Sequence, residues 1–202
     1  MSAHAEAHVG DANLHPPPLH YSSRVDPPTL GIFLFIASEI MLFGSFFTAY
    51  FFVRVVNHEP WPPHPFHLPV FVAGVNTLIL VTSSFTVHWA LQSIKRGYRP
   101  GLQAGLVLTF ALGLTFLLTQ ILEYHRVGFA PHDQSFGTIF YSLTGLHGAH
   151  VFVGLMLLLV ATVRAFRGHF SPDAHWGVEL PGIYWHFVDV MWIVVYTTIY
   201  II

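Results

Sequence analysis

The sequence predicts an all-α integral membrane protein, a bundle of five transmembrane helices, and three observations carry that prediction. Of the 202 residues 53% are hydrophobic and only 9% charged, with a positive mean hydropathy, so a charged exterior cannot balance the apolar surface as it does in a soluble domain. The apolar residues fall into five runs, each about 20 residues or longer, which is the length a helix needs to cross the hydrocarbon layer. Lys and Arg are confined to the ends of those runs and the segments between them.

The elements follow in order. Residues 1–28 form a polar arm with His4, His8, His15, His20 and the run Pro16, Pro17, Pro18, then Pro27 and Pro28; it lacks the apolar stretch of a signal peptide, so insertion is expected to begin with the first true span. The arm histidines follow no metal-ligand spacing. The membrane domain is read over 29–202. Its first span covers about 29–53 and is closed by Arg54; a stiff connection with Pro60, Pro62, Pro63, Pro65 and Pro69 around Trp61 follows. The second covers about 70–93 and ends at Lys95, Arg96, Gly97 and Arg99. The third and fourth cover about 102–124 and 136–163, with Gly128 and Pro131 marking the turn between them. The fifth covers about 181–202. With an N-terminus in the cytoplasm, that side carries six cations (Arg24, Lys95, Arg96, Arg99, Arg164, Arg167) against two (Arg54, Arg126) opposite, which by the positive-inside rule places the N-terminus inside and the C-terminus outside.

Composition also narrows the chemistry. A net charge of −2 gives no reason to expect a nucleic-acid partner. With no cysteine the chain cannot hold an iron–sulfur cluster, attach a c-type haem, build a thiolate-bridged copper centre or form disulfides, so a redox cofactor would need histidine ligands. No phosphate-binding loop, dinucleotide fingerprint, H-E-x-x-H helix or nucleophile elbow is present. No catalytic residue and no metal ligand is assigned.

What remains are polar residues inside the spans. Glu39 lies mid-span, where an ionised carboxylate costs at least about 2.5–3.5 kcal/mol, so it must be protonated, paired or hydrated. Either a neutral carboxyl bonded to a neighbouring helix or a carboxyl near a proton or gas route fits. His147 and His150, three apart in Gly145-Leu146-His147-Gly148-Ala149-His150, lie on one helix face among small residues that admit a close neighbour. Cross-helix hydrogen bonding and haem or metal ligation compete there. His186 and Asp189 repeat the spacing in the last span and read as a buried contact. Glu123 and His125 lie near the end of the third span, where solvated positions suffice for them, and His88 reads as a packing partner.

Three segments add a resemblance. Gly31-Ile32-Phe33-Leu34-Phe35-Ile36-Ala37-Ser38-Glu39, Thr144-Gly145-Leu146-His147-Gly148-Ala149-His150-Val151 and Tyr184-Trp185-His186-Phe187-Val188-Asp189-Val190-Met191-Trp192, in this order and with these gaps, resemble subunit III of haem–copper oxidases from about Thr29 onward. The longest members of that family have seven helices, and this chain looks like the shorter five-helix bacterial form. The resemblance implies a subunit without metal in a bacterial inner membrane. It would pack on catalytic subunit I beside subunit II, hold phospholipid, and support proton uptake and durable turnover, with haem and copper in the partner chains and cytochrome c as donor. It implies lipid contact for Arg164, Arg167 and His169, an intramembrane carboxyl at Glu39, and helix-packing roles for His147, His150, His186 and Asp189. A quinol oxidase subunit III is the alternative within the family, Ser38-Glu39 favouring the cytochrome c branch. A haem-b anchor, with His147 or His150 and His186 as axial ligands, is the alternative outside it; a self-sufficient transporter would normally show internal repeats, and none is seen.

Overall fold

The computed structural model describes residues 27–56, 69–129, 135–172 and 174–202. Five helices fill them: α1 (Pro27–Val56), α2 (Val70–Lys95), α3 (Arg99–Arg126), α4 (Ser135–Phe166) and α5 (Trp176–Tyr196), the last continuing as a π-helical turn over Thr197–Ile201. All five are long and apolar enough to cross a membrane, which makes the chain a multi-pass membrane protein. Among the described residues there is no strand, only an isolated bridge between Ser171 and Ala174. The histidines of the arm, Arg24, Trp61 with Pro60, Pro62, Pro63 and Pro65, and Pro131 lie outside the described residues.

Every helix extends beyond the apolar run that predicted it. The largest difference is α5, which begins at Trp176 rather than at Pro181. Apolar runs mark the stretch in contact with hydrocarbon, whereas helical geometry continues through the residues at the interface. Pro181 therefore sits inside the helix, where it has no N–H for the Gly177 carbonyl and costs one backbone bond. Pro27 and Pro28 open α1, positions that tolerate proline because first-turn N–H groups have no helical partner.

Helices α2, α3, α4 and α5 form a ring in which each packs on the next and α5 closes on α2, while α1 lies outside against α4 and α5. The inward residues recur at alternating spacings of three and four. On α2 they are Ala73, Asn76, Leu80, Ser83, Val87, Ala90 and Ile94, the seam of a left-handed bundle. Lipid is as apolar as these side chains, so close fit and polar contacts decide the packing. Small residues supply the fit. A Cβ on Gly105 would lie 2.7 Å from the Ala90 Cβ, and one on Gly113 or Gly154 would lie 2.5 or 2.8 Å from the Trp185 ring, which is clamped between α3 and α4. On α1 only Phe43 and Tyr50 are buried, and Phe33, Leu34, Met41 and Phe52 point outward.

Two helix ends use the same device. Gly97 and Gly168 adopt left-handed φ values of 75° and 73°. At each, the glycine N–H bonds the carbonyl three residues back (Ile94, Ala165) and the next N–H reaches five back, Tyr98 to Ser93 and His169 to Arg164. This Schellman geometry satisfies terminal carbonyls and turns the chain sharply, which gathers Lys95, Arg96, Arg99, Arg164 and Arg167 at one end of the bundle.

Candidate functional site

The intramembrane polar residues sort into separate contacts according to the helix each one faces. Ile32, Ile36, Glu39, Phe43 and Tyr50 form the inward stripe of α1, which carries Glu39 toward α4. Its Oε2 lies 2.9 Å from His150 Nε2, and His150 Nδ1 lies 2.7 Å from the Leu146 carbonyl oxygen one turn back. The second bond fixes the tautomer: Nδ1 must carry a hydrogen to reach a carbonyl. One further proton then lies between Glu39 and Nε2, because two lone pairs cannot face each other at that distance. Phe43 packs on the same imidazole, with ring centroids 5.0 Å apart.

His147 is three residues away but serves another neighbourhood. It is fully buried in the four-helix ring, with the Trp192 ring at 4.9 Å and the Phe116 ring at 5.9 Å. The spacing that suggested one shared face for His147 and His150 thus resolves into two directions, one into the core and one toward α1. Both nitrogens of His150 are engaged by protein atoms, so using it as an axial haem ligand would require breaking one of those contacts. Among the described residues no group of three or more His, Asp and Glu is arranged to hold a metal ion.

His186 and Asp189 do act together, on α2. Ser84 Oγ donates a short hydrogen bond to Asp189 Oδ2 and lies 3.0 Å from His186 Nδ1. A hydroxyl has one hydrogen, so when it serves Asp189 the imidazole Nδ1–H is the donor to Ser84. The sequence reading named no partner for this pair; a serine hydroxyl in an apolar span carries too weak a signal. Further contacts fix the register of α5 on α2: the Trp185 indole N–H bonds Ser83 Oγ at 2.8 Å and the Trp192 N–H bonds Thr77 Oγ1 at 2.9 Å.

Glu123 departs from its expected place. Position near a span end suggested solvation, yet it is 3% exposed and its Oε1 accepts a 2.9 Å bond from the Tyr200 hydroxyl. The cause is the overrun of α3 and the π-helical turn after α5, which together keep this level inside the bundle. A glutamate at the inward 3–4 spacing after Gly113, Phe116 and Gln120 was the available signal. His125 and His88 are exposed.

The predicted lipid residues lie together at the end of α4, Arg164 in its last turn and Arg167 and His169 just beyond it. Arg164, Arg167 and His169 are all exposed, and the Arg164 guanidinium stands 5.2 Å from the centroid of the Phe170 ring. Nearby, the start of α5 is tied to the end of α2 by Glu179, whose oxygens lie 3.4 Å from Lys95 Nζ and 3.4 Å from His175 Nε2. Arg164, Arg167 and His169 form no ion pair among the described residues, which leaves their charge available to a ligand.

Comparison with known proteins agrees with this arrangement. The sequence profile described as cytochrome c oxidase subunit III matches residues 20–202. Cytochrome c oxidase subunit 3 of Thermostichus vulcanus is 40% identical over 184 residues, covering 91% of each chain. The Synechocystis sp. subunit 3 is 40% identical over 174 residues (85% of this chain, 74% of that one), and the Drosophila yakuba subunit 3 is 39% identical over 180 (84% and 67%). A match that spans the whole described bundle, together with relatives about 40% identical over most of their length, places the chain in the cytochrome c oxidase subunit III family.

Proposed function

We propose that this chain is a non-catalytic subunit of a proton-pumping haem–copper oxidase in a bacterial cell membrane, with its N-terminus cytoplasmic and its C-terminus outside. It packs on the catalytic subunit, holds phospholipid and supports proton uptake and the durability of turnover; haem and copper reside in the partner chains and cytochrome c is the donor. The non-catalytic reading rests on where the polar side chains are used: Glu39 with His150, and Ser84 with His186 and Asp189, are contacts between this chain's own helices. The donor follows the names of the relatives, which are subunits of cytochrome c oxidases. The orientation follows the end of the bundle that gathers five cations, against Arg54 and Arg126 at the other.

The lipid reading is carried by one observation: two arginines and a histidine within six residues are exposed at the membrane edge without an ion-pair partner among the described residues. A guanidinium offers paired hydrogen bonds to a phosphate, and a second cation neutralises the remaining charge. Phe170 packed against Arg164 restricts that side chain before any lipid arrives. The test is Arg164→Gln combined with Arg167→Gln in the intact oxidase, reading lipid phosphorus per complex and activity over time. Less retained phospholipid and a shorter working life at little-changed initial rate are expected; unchanged lipid and lifetime would return these residues to the role of topology markers.

A further inference from the structure

The core of the four-helix ring contains a set of polar atoms that the protein itself does not pair. Both nitrogens of His147, both amide atoms of Gln120, Nδ2 of Asn76 and Oε2 of Glu123 are buried and make no hydrogen bond to protein. Register places three of these residues in one layer. On α2 and α3, Ala90 packs against Gly105, and the Thr86 and Thr109 hydroxyls are 2.7 Å apart. Moving ten residues back along α2 from Thr86 and eleven forward along antiparallel α3 from Thr109 brings Asn76 level with Gln120. On the other side Tyr124 bonds Thr144 at 2.8 Å and Phe116 meets His147, so Gln120, midway between Tyr124 and Phe116, faces the stretch from Thr144 to His147.

The layer borders a second polar level. Glu123 is three residues from Gln120 on the same helix, a rise of about 4.5 Å, and the Gln120 amide is near enough to the Tyr124 and Tyr200 hydroxyls to interact with both, although neither contact has the distance and angle of a full hydrogen bond. Glu123 also lines a cavity of about 140 Å³ between the start of α2 and the end of α3, together with Pro69, Val72, Thr119 and Arg126. That volume admits several water molecules, since one needs about 10–15 Å³ on this measure and two to four polar partners.

We propose that this layer is a water-binding site: a chain of water molecules runs from the cavity at Glu123 past Gln120 to His147 and Asn76. Each group finds its missing partner in such a chain. A neutral imidazole has one donor and one acceptor to satisfy, an amide offers two donors and an acceptor, and the free carboxyl oxygen of Glu123 accepts. Water bridges satisfy mixed sets of this kind nearly as well as direct bonds.

The test is a map of the intact oxidase at a resolution of about 2 Å, fine enough to show ordered water. Separate densities within hydrogen-bond distance of Glu123 Oε2, the Gln120 amide and a His147 nitrogen are expected. A layer without such density, in a map that shows buried water elsewhere in the complex, overturns the proposal, as does direct side-chain pairing among these residues. Gln120→Leu supplies a second reading through the temperature at which the subunit leaves the complex. Removing a hydrated amide breaks its water bonds and lowers that temperature, whereas removing a dry, unpaired amide leaves it unchanged or raises it, and the latter result contradicts the proposal.

Discussion

Replacing Glu39 by glutamine distinguishes the two protonation states open to the contact between α1 and α4. His150 Nδ1 is committed to the Leu146 carbonyl, so a neutral imidazole presents a lone pair to Glu39, and the carboxyl must then donate. Glutamine also donates, through its amide N–H, and preserves the bond. In that state Glu39→Gln costs less than about 1 kcal/mol, whereas Glu39→Leu leaves a buried acceptor unpaired and costs about 1–3 kcal/mol. Were the pair ionised, glutamine would replace a charge-assisted bond by a neutral one, and His150, whose side chain is only 12% exposed, would shed its proton before accepting from the amide, a loss of about 1.5–3 kcal/mol. The membrane setting favours the neutral state, because an ion pair must offset the desolvation of two charges. The assay is retention of this subunit in the purified oxidase as temperature rises, for wild type, Glu39→Gln, Glu39→Leu and Glu39→Lys. The expected order is wild type and glutamine together, leucine lower, and lysine lowest because it adds a cation with no acidic partner near His150. Glutamine as damaging as leucine or worse would refute the neutral carboxyl.

Two more outcomes follow from the packing, each read as the temperature of subunit dissociation from the complex. Gly113→Leu drives a side chain into the Trp185 ring and Leu155, rigid neighbours on α5 and α4, so loss of assembly is expected, while Gly145→Ala, with nothing within 4 Å of its Cβ, leaves assembly unchanged. Gly97→Ala forces a left-handed φ on a residue with a Cβ and costs about 1–2 kcal/mol, although the nearest atom to that Cβ is a flexible Pro172 ring carbon at 3.8 Å; an effect as large as that of Gly113→Leu would point to crowding rather than backbone strain.

Much of the fold was legible because in a membrane the apolar run and the helix are nearly the same object. Lipid imposes helical hydrogen bonding on any span, so run length and flanking cations sufficed to count five helices. The helix ends were not legible, since helices continue past the hydrocarbon; the same effect misplaced Glu123, whose burial depends on the π-helical turn carrying Tyr200. The polar residues themselves stood out by their cost in an apolar span, but their partners did not. His147 and His150 have the same sequence signature and face different surroundings, because a separation of three residues spans about 60° of helix face, and α1 occupies only one of the two directions. Ser84 was invisible for the opposite reason: a serine in an apolar span usually bonds its own helix, as Ser83 does with the Leu80 carbonyl.

The non-catalytic role is tested by detaching this subunit from the purified oxidase and assaying both fractions for haem, copper and visible absorption. All haem and copper are expected to stay with the remaining subunits, the detached chain to be colourless, and the depleted complex to reduce oxygen at first but to lose activity sooner during turnover. One equivalent of haem or copper travelling with this chain, or immediate loss of oxygen reduction when it is removed, would contradict that role.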